Sequence, residues 1–295
     1  MLVLVLLLAA AGPAAAATVT TTADTGPGSL RQAIADAASG ATIDFALTTP
    51  ATITLANEIV IDRNLTITGP GAAALTIDGD LNARIFRVTG STVVTISDLT
   101  MTRGADDGGG CLWNDGGSLT LSRVVVTSCE SSYGGGLLND ASGAAAFLHV
   151  VDSTVRDNAT NSASGGGIYN DGTANTATLL VERSTISGNS VSGNNSFGGG
   201  ILNSGFGGGT GTASIRNSTI SGNTATESGG TGGGIANTAD SQGHAVMRIA
   251  NTTFADNAAG AGGALFVTVF MNGGTSELEI GNSILRAGAS GGTID

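Results

Sequence analysis

A glycine-rich phrase recurs along this chain and constrains its fold more than any other feature. Its copies are GGCLWNDG from Gly109, GGGLLND from Gly134, GGGIYNDG from Gly165, GGGILNS from Gly198, GGGIANT from Gly232 and GGALFVT from Gly262. The apolar residue after the glycines returns at intervals of 25, 31, 33, 34 and 30 residues. Such a period indicates a solenoid, in which each repeat contacts only its neighbours. A phosphate-binding glycine loop would instead need a helix after it and would not recur in this way.

Each repeat also carries two further short segments. One is Ser/Thr-x-Ile-x-x-Asn, as in STISGN from Ser184 and again from Ser218, and the other is an apolar-x-apolar triplet such as LTL from Leu119. Apolar and polar residues alternate with period two, which indicates strands. Three short strands per coil, each repeated in the next coil, predict an all-β parallel β-helix whose coils stack about 4.8 Å apart.

Stacking turns equivalent residues of successive repeats into columns. Two inward apolar columns are predicted, one of Val126, Val155, Ile186, Ile220 and Phe254, and one of Leu121, Val150, Val181, Ile215 and Ile249. A structural ladder is predicted for Asn158, Asn189, Asn223 and Asn257, and a second for Asn114, Asn139, Asn170, Asn203 and Asn237. Stacked asparagines can pass amide hydrogen bonds from coil to coil, each stabilising by about 1 kcal/mol.

The chain divides into three predicted segments. Residues 1–17, MLVLVLLLAAAGPAAAA, are typical of a signal peptide, because the apolar run is too short to span a bilayer and small residues follow it. Residues 18–41 predict an N-terminal cap with a short helix over GSLRQAIADAAS. Residues 42–295 predict the β-helix, truncated within its last coil. We therefore expect an extracellular or cell-surface protein with no transmembrane segment in the mature chain.

The amino-acid composition limits the classes of partner that this protein can bind. The formal net charge is −12, and all 11 basic residues are arginines. Nucleic acid is excluded as a partner, because binding phosphates needs a basic surface. The hydrophobic fraction of 41% is high enough for a buried core.

Four motifs carry a resemblance to known proteins: GSLRQAI from Gly28, LTIDGD from Leu75, the STISGN…GGGI units, and FADN…GGAL from Phe254. The chain resembles bacterial right-handed β-helix proteins of the pectin-lyase-like superfamily, in particular surface proteins with a CSLREA signature and a choice-of-anchor region. Its FADN…GGAL segment is similar to the repeats of polymorphic outer-membrane proteins. The resemblance implies export and a secreted or cell-surface role, often adhesive. It implies no shared catalytic residues.

Two function classes remain. The favoured one is a non-enzymatic, adhesin-like or structural binding scaffold, whose partner is a glycan or a protein at the cell surface. The alternative is a polysaccharide lyase or glycoside hydrolase that acts in an outward groove. Glycoside hydrolysis needs carboxyl groups that converge on one bond. Asp106 and Asp107 are adjacent but are predicted to point to opposite faces of a strand.

Two outward-facing columns of residues are predicted from successive copies of the glycine phrase, and they lie side by side. An apolar ridge of Trp113, Leu138, Tyr169 and Leu202 is a candidate ligand groove, unless the variable loops cover it. Asp115, Asp140 and Asp171 form the other column and are a candidate cation site, with calcium as the possible cofactor. The alternative for these aspartates is a row of solvated turn residues.

The chain has two cysteines, Cys111 and Cys129. They occupy different positions of the repeat, namely the third-glycine position and the position of the Asn in STISGN. This favours two separate small residues over a disulfide, although an exported protein could join them.

Overall fold

The computed structural model describes residues 16–225, 229–270 and 273–286, together with Gly288, Ser290, Gly292 and Ile294. Nearly all of the predicted signal peptide lies outside these residues. The described chain winds as a parallel β-helix: every paired strand in it runs parallel to an equivalent strand one coil earlier or later.

Four parallel sheets run along the described part of the solenoid. The ten-stranded sheet comprises Ala17–Val19, Ala41–Phe45, Leu65–Thr68, Val93–Ser97, Ser118–Ser122, Ala146–Val151, Thr176–Glu182, Thr210–Arg216, His244–Ala250 and Thr275–Gly281. The nine-stranded sheet comprises Ala51–Thr54, Leu75–Asp78, Thr100–Thr102, Val125–Thr127, Thr154–Arg156, Thr185–Ser187, Thr219–Ser221, Thr253–Ala255 and Ile284–Leu285. The eight-stranded sheet comprises Ile59–Ile61, Phe86–Thr89, Leu112–Asp115, Leu137–Asp140, Ile168–Thr173, Ile201–Phe206, Ile235–Ala239 and Leu265–Val269. The six-stranded sheet comprises Ala105–Gly108, Glu130–Tyr133, Ala159–Ser164, Ser190–Val191, Thr224–Ala225 and Ala258–Ala259.

The number of strands per coil differs from the prediction after the first coils. The first coil has one strand, Ala17–Val19, followed by the helix; the coils from Ala41 to Ala105 have the three expected strands, and from Ala105 onward a fourth strand of the six-stranded sheet precedes the glycine phrase. These added strands lie in the segments that the sequence suggested were variable loops. Several of them, such as Ser190–Val191, have only two residues, which is too short for an alternating pattern to show.

The predicted apolar columns form the core. In the first column Val155, Ile186 and Ile220 are consecutive partners on neighbouring strands, and all three are fully buried. The second column is likewise in register and buried from Leu121 to Ile249. A single coil cannot bury its own apolar side chains, so stacking supplies the continuous core.

Both predicted asparagine ladders are present and buried. The Nδ2 group of Asn189 donates to Oδ1 of Asn223 at 2.9 Å and to the Val155 carbonyl at 3.1 Å. Oδ1 of Asn189 in turn accepts from Nδ2 of Asn158 at 2.9 Å and from the Asn158 backbone N–H at 3.1 Å. In the second ladder each Nδ2 reaches the next Oδ1 at 2.7 Å, from Asn114 to Asn237. The amide groups thus satisfy the backbone where the chain turns inside the core.

The three glycines of the phrase have three different reasons to be glycine. In GGGIYNDG, Gly165 has a φ of 59°, in the left-handed region. A Cβ on Gly166 would collide with the backbone carbonyl of Gly199 in the next coil. A Cβ on Gly167 would lie 2.6 Å from the Gly200 carbonyl oxygen and also 3.0 Å from the Asn189 side chain, so the third glycine leaves room for the ladder as well.

The two cysteines form a disulfide, so the prediction of separate residues is wrong. Their Cα atoms are 5.5 Å apart. In the following coils the third glycine faces the ladder asparagine, as Gly136 faces Asn158. Cys111 and Cys129 occupy those same two positions, one coil earlier. The third-glycine position of one coil and the ladder-asparagine position of the next are therefore neighbours in space, although they are different positions of the repeat.

The predicted helix forms at Leu30–Asp36, shorter than the segment that suggested it. The Ser29 side chain caps it by accepting from the Gln32 N–H at 3.2 Å. Leu30, Ala33 and Ile34 are buried in the same core cluster as the first strands. In the described part of the chain, no helix has the length and hydropathy needed to cross a membrane.

Candidate functional site

A cleft of about 570 Å³ opens on the outer face of the eight-stranded sheet, next to the six-stranded sheet. Its lining side chains are aromatic, acidic and basic. They are Trp113, Tyr133, Leu138 and Tyr169; Glu58, Asp106, Asp107, Asp140 and Asp171; and Arg84 and Arg87. Gly108 also lines the cleft. The cleft therefore gathers residues from several consecutive coils.

Sheet register places the two predicted outward columns side by side. Trp113 is paired with Leu138, and Leu138 with Tyr169, while Asp140 is paired with Asp171 in the same strands. Since side chains alternate between faces along a strand, each aromatic or leucine lies on the same outer face as the aspartate two residues later. Three of the four predicted groove residues and two of the three predicted cation ligands thus line one cleft.

Trp113 lies at the centre of a stack with two arginines. The Arg87 guanidinium carbon lies 4.1 Å from the centroid of the indole ring, and that of Arg84 lies 4.9 Å from it. These are cation–π distances. The indole Nε1 and the Arg87 Nε are buried atoms without a hydrogen-bond partner among the described residues. The stack holds the tryptophan in place.

Both arginines are held by carboxylates of the protein. Arg84 is 3% exposed, donates from Nε to the Gly108 carbonyl at 2.8 Å, and pairs with Glu58 at 2.6 Å and Asp106 at 3.2 Å. Arg87 donates from Nη2 to Asp115 at 2.6 Å. Their positive charges are therefore neutralised inside the site.

Sequence reasoning missed these arginines, although a signal existed. Arg87 is the strand partner of Trp113, one coil earlier. The segment RIFRVTG has no glycine phrase, so its alignment with the later repeats was not visible. Extending the column by one coil would have placed Arg87 on the outer face.

The predicted orientation of Asp106 and Asp107 is wrong. They were expected to point to opposite faces, yet both are exposed and line the cleft. They lie in Ala105–Gly108, the first strand of the six-stranded sheet, where the alternation is broken. Tyr133, from the next strand of that sheet, is 48% exposed and forms the rim.

The two remaining aspartates differ in their environment. Asp140 is 7% exposed and accepts from the Ser142 N–H at 2.7 Å. Asp171 accepts from the Thr173 hydroxyl at 2.6 Å and the Thr173 N–H at 3.1 Å. Burial raises the pKa of Asp171, the Thr173 hydroxyl opposes that rise, and the nearby charge of Asp140 adds to it. Asp171 thus binds a proton more readily than an exposed aspartate does.

Tyr169 is kept protonated by the same surroundings. Burial first, and then the charge of Asp171, hold the pKa of the Tyr169 phenol well above its usual value. A phenol that stays neutral remains available as a hydrogen-bond donor.

Leu202 was predicted in the groove but does not line it. It is 3% exposed, and its strand partner Ala236 is fully buried. Phe197, just before this strand, contacts Phe270 after the last strand of the sheet, with ring centroids 5.1 Å apart. The cleft at Trp113 therefore does not extend to Leu202.

The calcium hypothesis stays a prediction. Asp115, Asp140 and Asp171 are partners on successive strands, but Asp115 is paired with Arg87. Within the described ranges, no group of three or more His, Cys, Asp or Glu side chains is arranged to hold a metal ion.

Comparison with known proteins gives little beyond architecture. No family model matches the chain, and no curated protein matches it. Among solved structures, the chain is similar to the crystal structure of pectate lyase Pel9A, with 13% sequence identity and a TM-score of 0.44, over 94% of this chain and 79% of that one. The parallel β-helix is established by the strand pairing of the chain itself, and no activity is carried over from this likeness.

Proposed function

We propose that this β-helix protein is exported and that its cleft binds a saccharide, so that the solenoid acts as an adhesin-like binding scaffold outside the cell. The observation that carries the proposal is the convergence of Trp113, Tyr133 and Tyr169 with fixed polar groups in one open cleft. Ligand sites are typically clefts of about 300–1,000 Å³ with apolar walls and a few placed polar groups.

The cleft offers the two kinds of contact that a sugar ring requires. Aromatic faces pack against the apolar C–H groups of a ring, while carboxylates and the Tyr169 hydroxyl bond to its hydroxyl groups. The ion pairs of Arg84 and Arg87 fix the walls before a ligand arrives, which lowers the entropic cost of binding.

Two features support export. The apolar run of residues 2–11, followed by alanines, has the composition of a signal peptide. The disulfide between Cys111 and Cys129 is the bond expected in an oxidising compartment and is rare in the cytosol.

We expect Trp113→Ala to weaken saccharide binding by at least about tenfold, because the central aromatic face of the cleft is lost. Isothermal titration against a panel of neutral, acidic and amino-sugar oligosaccharides measures this. Phe206→Ala is the matched control, since Phe206 is an exposed aromatic of the same sheet that does not line the cleft. Equal affinity in the wild type and Trp113→Ala, with both proteins folded, would contradict the proposal. So would the absence of binding to every member of the panel.

Hydrolysis of the bound saccharide is the second candidate. It is favoured by one observation: Asp140 and Asp171 are partners on neighbouring strands, and the pKa of Asp171 is raised. A pair of neighbouring carboxyl groups, one of which has a raised pKa, suits acid and nucleophile roles. The same titration samples distinguish the two functions, because only hydrolysis releases new reducing ends.

A further inference from the structure

We propose, on the basis of the saccharide-binding function, that the cleft selects a positively charged saccharide, one built from amino sugars with free amino groups. The carrying observation is the charge balance of the lining. Five carboxyl groups and two guanidinium groups face the cleft among the described residues, an excess of three acidic groups.

The arginines do not attract an anionic ligand. Arg84 is paired with two carboxylates and a backbone carbonyl, and Arg87 with Asp115. A uronate carboxylate would have to displace one of these partners and would then face Asp107, Asp140 and Asp171. Like charges in a partly buried site repel strongly, because the effective dielectric is low. Polyuronates are therefore the saccharides that this cleft admits least.

An ammonium group has several acceptors here. Asp107 is exposed at the edge of the six-stranded sheet, and Asp140 and Asp171 are neighbours on the floor. An ammonium group donates three hydrogen bonds and can bridge two carboxylates that stand on the same face of neighbouring strands. It would also relieve the repulsion between Asp140 and Asp171. Tyr169 adds a ring face that attracts cations.

The test compares three oligosaccharide probes of equal length on the complete protein at mildly acidic pH and low salt. They are glucosamine oligomers, N-acetylglucosamine oligomers, and galacturonate oligomers with and without calcium. We expect glucosamine oligomers to bind on the order of tenfold more tightly than the N-acetylated ones, about the effect of one partly exposed ion pair. Added salt should erase most of that difference.

Two variants test whether the preference for glucosamine oligomers arises in the cleft. Asp107→Asn should reduce the preference for glucosamine oligomers several-fold, because it should weaken binding of the glucosamine probe more than binding of the N-acetylated probe. Asp44→Asn is the matched control, because Asp44 is an exposed strand residue of the ten-stranded sheet, outside the lining. Asp107 makes no ion pair among the described residues, so its loss leaves the scaffold intact.

The outcomes separate this inference from the function on which it rests. Equal or tighter binding of the N-acetylated or galacturonate probes, still lost in Trp113→Ala, overturns the charge selection and keeps the saccharide site. Galacturonate binding that requires calcium overturns it in favour of the cation hypothesis. Binding of no probe, or binding that Trp113→Ala does not affect, overturns both proposals.

Discussion

Asn189→Ala is expected to lower the free energy of unfolding by about 3–5 kcal/mol. The substitution removes the bonds that Asn189 donates to Asn223 and to the Val155 carbonyl. It also leaves the Asn158 backbone N–H without its acceptor inside the core and removes one of the two acceptors of the Asn158 side-chain amide. Buried groups that lose a partner cost about 1–3 kcal/mol each, which exceeds the value of the lost bond itself.

The control is Asn161→Ala, which removes an exposed amide in the preceding coil. Chemical denaturation of both variants and the wild type gives the comparison. Saccharide affinity should be the same in all three proteins, since neither asparagine lines the cleft. If Asn189→Ala and Asn161→Ala have the same free energy of unfolding, the asparagine ladder does not stabilise the protein as we expect.

Loss of the disulfide is the second large effect. Replacing both cysteines by alanine should destabilise the protein by about 3 kcal/mol, the value expected for a short closed loop. The sequence separation of Cys111 and Cys129 is 18 residues. Unfolding with and without reductant, together with a non-reduced peptide map, measures the bond and its contribution.

A more specific variant follows from the repeat. Later coils place a glycine against an asparagine at these two positions, as Gly167 against Asn189. The double variant Cys111→Gly, Cys129→Asn should therefore lose less stability than the double alanine variant, because the introduced asparagine side chain can extend the ladder to Asn158. Equal losses in the two double variants, or free thiols in the folded wild-type protein, would contradict this interpretation.

The sequence predicted those parts of the fold that depend on residues one coil apart. The columns of Ile186 and Ile220, and the Asn189 ladder, follow from the repeat alone, because equivalent residues become neighbours. The sequence did not reveal contacts between unequal positions of the repeat. The disulfide is one such contact, and the Arg84 pairs with Glu58 and Asp106 are others.

The candidate site was predicted in part for the same reason. Register correctly placed Trp113, Leu138 and Tyr169 on one outer ridge. Register does not predict how much of that ridge is exposed, because the exposure depends on neighbouring chain segments. Leu202 has the same repeat position and is buried, so the repeat position alone does not decide which coils stay open. The segments between the repeated strands differ from coil to coil. Their conformations do not recur, so no periodic pattern predicts them.

The most direct test of the stacked-coil arrangement measures distances along one column of the nine-stranded sheet. Spin labels placed pairwise at Thr76 and each of Thr185, Thr219 and Thr253 are separated by four, five and six strand spacings. Pulsed electron paramagnetic resonance should give separations of about 19, 24 and 29 Å, rising by one strand spacing per coil. Distances that do not increase in equal steps would show that these residues do not share a column, and the cleft built from the same register would have no basis.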